Sequence, residues 1–265
     1  MKFVRHYLLA LQFFTRIPVT GRLAAWVGYS PPMLRASAAH FPGVGWLVGA
    51  LAALVFGVAL LLLPDVPFGA LTAAVLCTVA SVLLTGGFHE DGLSDTADGL
   101  GGGPTRERAL EIMKDSRVGA YGVLALVLAL LAKVALLALL GSIDLELACA
   151  SVLAAHVASR FFPLLLIRLL PHVGDTALSK SKPLAEQITT ASLAVALLWT
   201  AAALAVVAVF IPDQPWWAPL LAAALGWLWM WRLLVRRLQG FTGDGLGATQ
   251  QVCEIAFYLG VAFSL

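Results

Sequence analysis

Apolar positions in this chain come in long blocks, not in the alternating or striped patterns of soluble strands and helices. A helix that crosses a bilayer needs about 20 mainly apolar residues. Blocks of that order fall at residues 43–63, 68–87, 119–140, 145–170, 188–211 and 216–238, with a shorter one at 251–265. Residues 3–17 differ, because Arg5, His6, Gln12 and Arg16 are interleaved with apolar positions and no small-residue cleavage site follows. Too short and too polar to span, they predict an amphipathic helix at the membrane surface and not a signal peptide. The expected fold is all-α. It is a polytopic integral membrane helical bundle of about six to seven transmembrane helices plus an N-terminal interfacial helix, with residues 1–265 as one domain.

Charge gives the bundle a direction. With the N-terminus placed inside, the inner segments carry every one of the 17 Lys and Arg except Lys133 and Arg160, which lie within blocks. The opposite connections, 64–67, 141–144 and 212–215, carry none. This positive-inside split predicts that the long connections lie on the cytoplasmic face of the cell inner membrane. Trp199, Trp216, Trp217, Trp227, Trp229 and Trp231 gather near block ends, as an aromatic belt at the headgroups does.

Composition narrows the classes further. The chain is 60% hydrophobic and only 12% charged, against about a quarter charged in a soluble domain, so a soluble enzyme and a disordered chain are excluded. A net charge of +2 leaves no basic footprint for nucleic acid. Cys77, Cys149 and Cys253 all sit in apolar stretches and offer neither a disulfide framework nor zinc spacing. A homo-oligomer is compatible with the sequence and not demanded by it.

The acids are not spread evenly. Seven of the 15 fall between Glu90 and Asp115, in an acid-rich cytoplasmic loop at 87–118 that begins where the second block ends. If the helix continues there, Asp91, Asp95 and Asp98 stand within about 60° of one another on one face. Stacked carboxylates repel unless a cation neutralises them, and hard oxygen ligands suit Mg²⁺ or Mn²⁺ together with substrate phosphates. Gly92 and Gly99 lie seven residues apart near the same face, where a ligand or another backbone can approach. Gly101, Gly102 and Gly103 follow, then Arg106, Arg108, Lys114, Asp115, Ser116 and Arg117, a set that suits a phosphate or diphosphate.

A second inner loop, 239–250, holds four glycines in eight residues around Asp244, with Thr242 beside it. Gln250, Gln251 and Glu254 come next. An ionisable group such as Glu254 inside a span is expensive and calls for a partner or a function. His156 and Arg160 stand at i, i+4 on one side of the fourth block, whereas Lys133 lies mid-block with no partner evident along the chain. A third inner loop contributes Lys180 and Lys182.

The run His89-Glu-Asp-Gly-Leu-Ser-Asp-Thr-Ala-Asp-Gly-Leu-Gly-Gly-Gly103, with Glu111-Ile-Met-Lys-Asp-Ser-Arg-Val-Gly119, resembles the cobalamin synthase family of adenosylcobinamide-GDP ribazoletransferases. Leu11-Gln-Phe-Phe-Thr-Arg-Ile-Pro18, Phe41-Pro-Gly-Val-Gly45 and Thr242-Gly-Asp-Gly-Leu-Gly-Ala248 extend the resemblance over nearly the whole chain. The resemblance implies a Mg²⁺-dependent membrane transferase that joins adenosylcobinamide-GDP to α-ribazole, or to α-ribazole 5′-phosphate, and releases GMP. On that footing Asp91, Asp95 and Asp98, with Glu90 and Asp115, are expected to hold the metal. Arg106, Lys114, Ser116, Arg117, Gly101, Gly102, Thr242, Asp244, Lys180 and Lys182 are expected to meet the phosphates and the substrate. Either a triad carboxylate or His89 is the expected base. A CDP-alcohol phosphotransferase would do similar chemistry, but its Ala-Arg pair after the first Asp-Gly is missing here. A transporter would place its acids near the midplane, often within inverted repeats, and neither pattern is present.

Overall fold

The structure is a computed structural model that describes residues 1–64, 66, 68–174 and 188–265. Lys180 and Lys182 therefore lie outside the described residues. The chain opens with α1 (Lys2–Phe14), α2 (Gly21–Val27) and α3 (Pro31–Ser37), which lead into α4 (Phe41–Leu62) and α5 (Gly69–Thr85). Next come α6 (Phe88–Gly102), α7 (Arg106–Ile112), α8 (Ala120–Ile143) and α9 (Leu145–Leu169). The described remainder forms α10 (Thr190–Phe210), α11 (Trp217–Leu238) and α12 (Gly243–Ala262). No β-strand occurs among the described residues, where the one β-bridge joins His172 to Phe241.

Each apolar block is a helix. Five have the length and composition to cross a membrane, and α5 with α6 forms a sixth candidate bent by 90°. Leu61, Leu83, Leu128, Leu198, Val209 and Trp217 are exposed, more apolar surface than a water-soluble monomer shows. Lipid is the solvent this surface fits.

The helix α12 is less apolar than the others because it lies inside the bundle, packed against α6, α8, α9 and α11. The sequence alone suggested a short last segment starting near residue 251. In fact the Gly/Asp stretch is the first turn of α12, started by Thr242, whose Oγ1 accepts from the Gly245 N–H at 3.1 Å. Twenty residues at 1.5 Å each give about 30 Å, enough to cross fully. At the far end Gln214, in an outer connection, donates to Ser264 Oγ at 2.8 Å.

The predicted inner connections meet at one end of the bundle. Arg106 Nε donates to the Leu238 carbonyl at 2.7 Å, and Arg237 Nη2 to the Gly103 carbonyl at 2.7 Å. Both cations thereby satisfy helix C-terminal carbonyls, where positive charge is favoured. Phe241 N donates to the Pro171 carbonyl, and Arg16 N to the Leu84 carbonyl. Glycine also closes the bundle: a Cβ on Gly45 would stand 2.4 Å from the His156 carbonyl oxygen, so α4 and α9 pack backbone to backbone as small-residue stripes allow.

Candidate active site

The acid-rich segment is not a loop. Gly86 and Gly87, at φ 72° and 70°, stop α5 and turn the chain through the bend, and consecutive left-handed residues favour glycine. The helix α6 then runs from Phe88 to Gly102 with its acids on one side. Gly101 and Gly102 fall in its last turn instead of forming a flexible cradle. A Cβ on Gly101 would lie 2.5 Å from the Tyr121 ring, so this glycine serves packing.

Asp98 is committed elsewhere. Its oxygens accept from the N–H groups of Gly119 and Gly122 at 2.7 and 2.8 Å. The N-cap of α8 is Gly119, which has no side chain to cap with. A carboxylate from α6 therefore supplies the cap, and Asp98 is buried in that role. Glu90 is buried too, and accepts from Gln251 Nε2 at 3.1 Å. Asp115 pairs with Arg117 at 2.5 Å on the exposed α7–α8 connection, and that guanidinium holds its carboxyl down at about 2. Lys114 and Ser116 are exposed on the same connection. Arg106 and Thr242 are occupied as helix caps.

Asp91 and Asp95 remain, and the structure adds Asp244. A Cβ on Gly92 would stand 2.8 Å from the Asp244 carbonyl oxygen, and one on Gly247 would stand 3.4 Å from the Gly92 Cα. The helices α6 and α12 thus cross at two glycines, with Asp91 and Asp95 beside the crossing on one helix and Asp244 on the other. Burial, with Asp91, Asp244 and Asp98 around it, pushes the Asp95 carboxyl up to about 7. Three acids crowd one spot, where like charges disfavour one another's ionised form.

Among the described residues no three His, Cys, Asp or Glu side chains form a ready metal cage. A divalent cation still fits, because Mg²⁺ is held by one or two carboxylates plus substrate phosphates and water, seldom by an all-protein cage. The raised Asp95 carboxyl marks the repulsion such an ion would relieve. His89 lies roughly 120° or more around α6 from Asp91 and Asp95, stacked on Phe41 at 5.6 Å between ring centroids. It is buried away from the acid face.

Residues 6–262 match the family model described as cobalamin-5-phosphate synthase. The chain belongs to the cobalamin-5-phosphate synthase family. Among its relatives, a protein of Polaromonas sp. (strain JS666 / ATCC BAA-500) named adenosylcobinamide-GDP ribazoletransferase is 63% identical, covering 100% of this chain and 98% of the relative. One of the same name from Polaromonas naphthalenivorans (strain CJ2) is 60% identical over 100% of both chains. Another from Vibrio cholerae serotype O1 (strain ATCC 39541 / Classical Ogawa 395 / O395) is 46% identical, over 96% of this chain and 91% of that one. No solved structure matches.

Within this cobalamin-5-phosphate synthase family member, sequence reasoning could not pair Lys133 with anything. Its Nζ lies 2.6 Å from Glu254 Oε1, both buried. Each residue was conspicuous as a charge inside a span, but 121 positions separate them and only the packing of α8 on α12 joins them. His156 and Arg160 do share a side, with Arg160 Nη1 3.1 Å from His156 Nδ1.

Proposed function

We propose that this chain joins adenosylcobinamide-GDP to α-ribazole, or to α-ribazole 5′-phosphate, giving adenosylcobalamin or its 5′-phosphate and GMP. The observation that carries the reading is the α6–α12 crossing, which gathers Asp91, Asp95 and Asp244 at the inner end of a bundle whose whole length resembles ribazoletransferases. One or two of Asp91, Asp95 and Asp244, with the diphosphate and water, would hold Mg²⁺. A bound Mg²⁺ supplies charge neutralisation, polarisation of the attacked phosphorus and stabilisation of the departing GMP.

The residues of the chain divide the remaining work. A site carboxylate oxygen not engaged by the metal would accept the proton of the attacking ribose hydroxyl. His89, turned from the acid face, keeps no part in that transfer. Lys114 and Ser116, exposed beside the start of α8, would meet outer phosphate oxygens. The positive-inside split supports a cytoplasmic site in the cell inner membrane, where a nucleotide substrate is at hand.

The test is turnover in detergent or liposomes with adenosylcobinamide-GDP, α-ribazole and Mg²⁺, following GMP and corrinoid product. Mg²⁺-dependent product from the parent, and none from a folded Asp91→Asn variant, is expected. No product from the parent, followed by turnover of CDP-alcohol substrates, would replace this reading with the phosphotransferase one.

A further inference from the structure

Below the acid face lies a buried charge cluster that the reaction does not use. Lys133 of α8 pairs with Glu254 of α12 at 2.6 Å. Gln250 Nε2 donates to Glu254 Oε2 at 2.7 Å and to Ser159 Oγ at 2.9 Å. Gln251 Nε2 donates to Gln250 Oε1 at 3.0 Å and to Glu90 Oε1 at 3.1 Å. An unbroken hydrogen-bonded line thus runs from Lys133 in the bundle to Glu90 in the first turn of the acidic helix. His156 and Arg160 of α9 flank it, and Arg160 and Lys133 both act electrostatically on Glu90. Two cations therefore face two buried carboxylates.

A bundle held together only by packing would not carry this arrangement. Buried ion pairs often add little net stability, and here Glu90 Oε2, His89 Nε2, His156 Nε2 and Arg160 Nε are buried with no hydrogen-bond partner. Unsatisfied buried polar atoms are costly. The acidic helix, however, needs fixing. It follows two left-handed glycines, its N-cap is Gly87, and no side chain caps it. Its far end is tied through Asp98 to Gly119 and Gly122. Its near end is tied through Glu90. Asp91 and Asp95 lie between these two ties.

We infer that the Lys133–Glu254–Gln250–Gln251 line is a positioning device which, through Glu90, sets where Asp91 and Asp95 meet a divalent cation; Glu90 is a tether and not a ligand. The two amides of the line are poor proton carriers, so it orients and does not conduct. The inference rests on the carboxylate site proposed above.

The experiment measures Mn²⁺ binding to the purified full chain by electron paramagnetic resonance, without substrates, beside thermal unfolding in detergent. Gln251→Met cuts the line without removing a charge. Lys133→Met with Glu254→Leu removes the pair as a unit, which leaves no lone buried charge and so preserves folding where either single change would not. Both variants should fold yet bind Mn²⁺ about 10- to 100-fold more weakly, the range for lost outer-shell support. Glu90→Gln, which keeps an acceptor for Gln251, should bind within about twofold of the parent. Unchanged Mn²⁺ affinity in folded Gln251→Met or in the folded double variant overturns the inference, as does loss of binding in a Glu90→Gln variant that unfolds at the parent's midpoint. A parent that binds no Mn²⁺ sinks the carboxylate site itself and this inference with it, which separates the two failures.

Discussion

Four aspartates fall into different occupations here, and the partner of each decides which. Asp98 receives two backbone N–H groups and Asp115 a guanidinium, whereas Asp91 and Asp95 receive neither. Asp91→Asn and Asp95→Asn should each lower kcat by two orders of magnitude or more, the scale for losing one electrostatic stabiliser of a transition state, with thermal midpoints no lower than the parent's. Asp98→Ala should instead cost about 1 kcal/mol of stability through the lost cap, read as a lower thermal midpoint. Spacing along α6 revealed the acid face but could not divide it, because the Gly119 and Gly122 amides that occupy Asp98 lie more than 20 residues away.

Asp95 also makes the site pH-sensitive. Its carboxyl is raised from 3.8 to about 7, chiefly by burial and then by Asp91. Between those two values the folded protein holds the proton more tightly than the unfolded chain, so stability falls as pH rises through that window. Above about 7 the carboxylate is free to bind a cation. The half-saturating Mg²⁺ concentration should therefore fall as pH rises from 6 towards 8, roughly tenfold per unit below the midpoint if one proton is displaced. Calorimetric titration in two buffers of different ionisation enthalpy would show that proton leaving.

At the scale of elements, the governing contact is α6 on α12. Gly92→Ala would place a methyl 2.8 Å from a backbone oxygen that cannot rotate away. Overpacking of this kind costs about 1–3 kcal/mol, and here it should also separate Asp95 from Asp244 and reduce turnover more than stability. Gly102→Ala, whose Cβ would meet only Ile112 at 3.4 Å, is the tolerated control in the same assays. The sequence made every spanning block legible, because hydropathy is a local property. It hid the start of α12, where glycines read as a turn while Thr242 caps a helix. It also hid every contact between helices, Lys133 with Glu254 first among them, since the residues that choose each other are far apart in the chain.

For the whole molecule, charge asymmetry and packing agree on one functional end. The connections rich in Lys and Arg touch one another there, while Ser264 meets Gln214 at the other end. Five helices, or six with the bent α5–α6 pair, are long and apolar enough to cross, and α8 is the span between Ser116 and Ser142. A membrane-impermeant maleimide should label Ser116→Cys only in inside-out vesicles and Ser142→Cys only in right-side-out vesicles. Labelling of both from one side would contradict a crossing by α8.

Where α6 passes α12 neither helix contributes a side chain, so the spacing between Asp95 and Asp244 is set by the thickness of two backbones. It behaves as a fixed gauge. A methyl at Gly92 would land 2.8 Å from main chain and one at Gly247 3.3 Å from it, so a change at either glycine is met by backbone and must shift a helix that carries its tethers along. Changing what this enzyme accepts will therefore have to begin on the connection at 114–118 and leave the gauge alone.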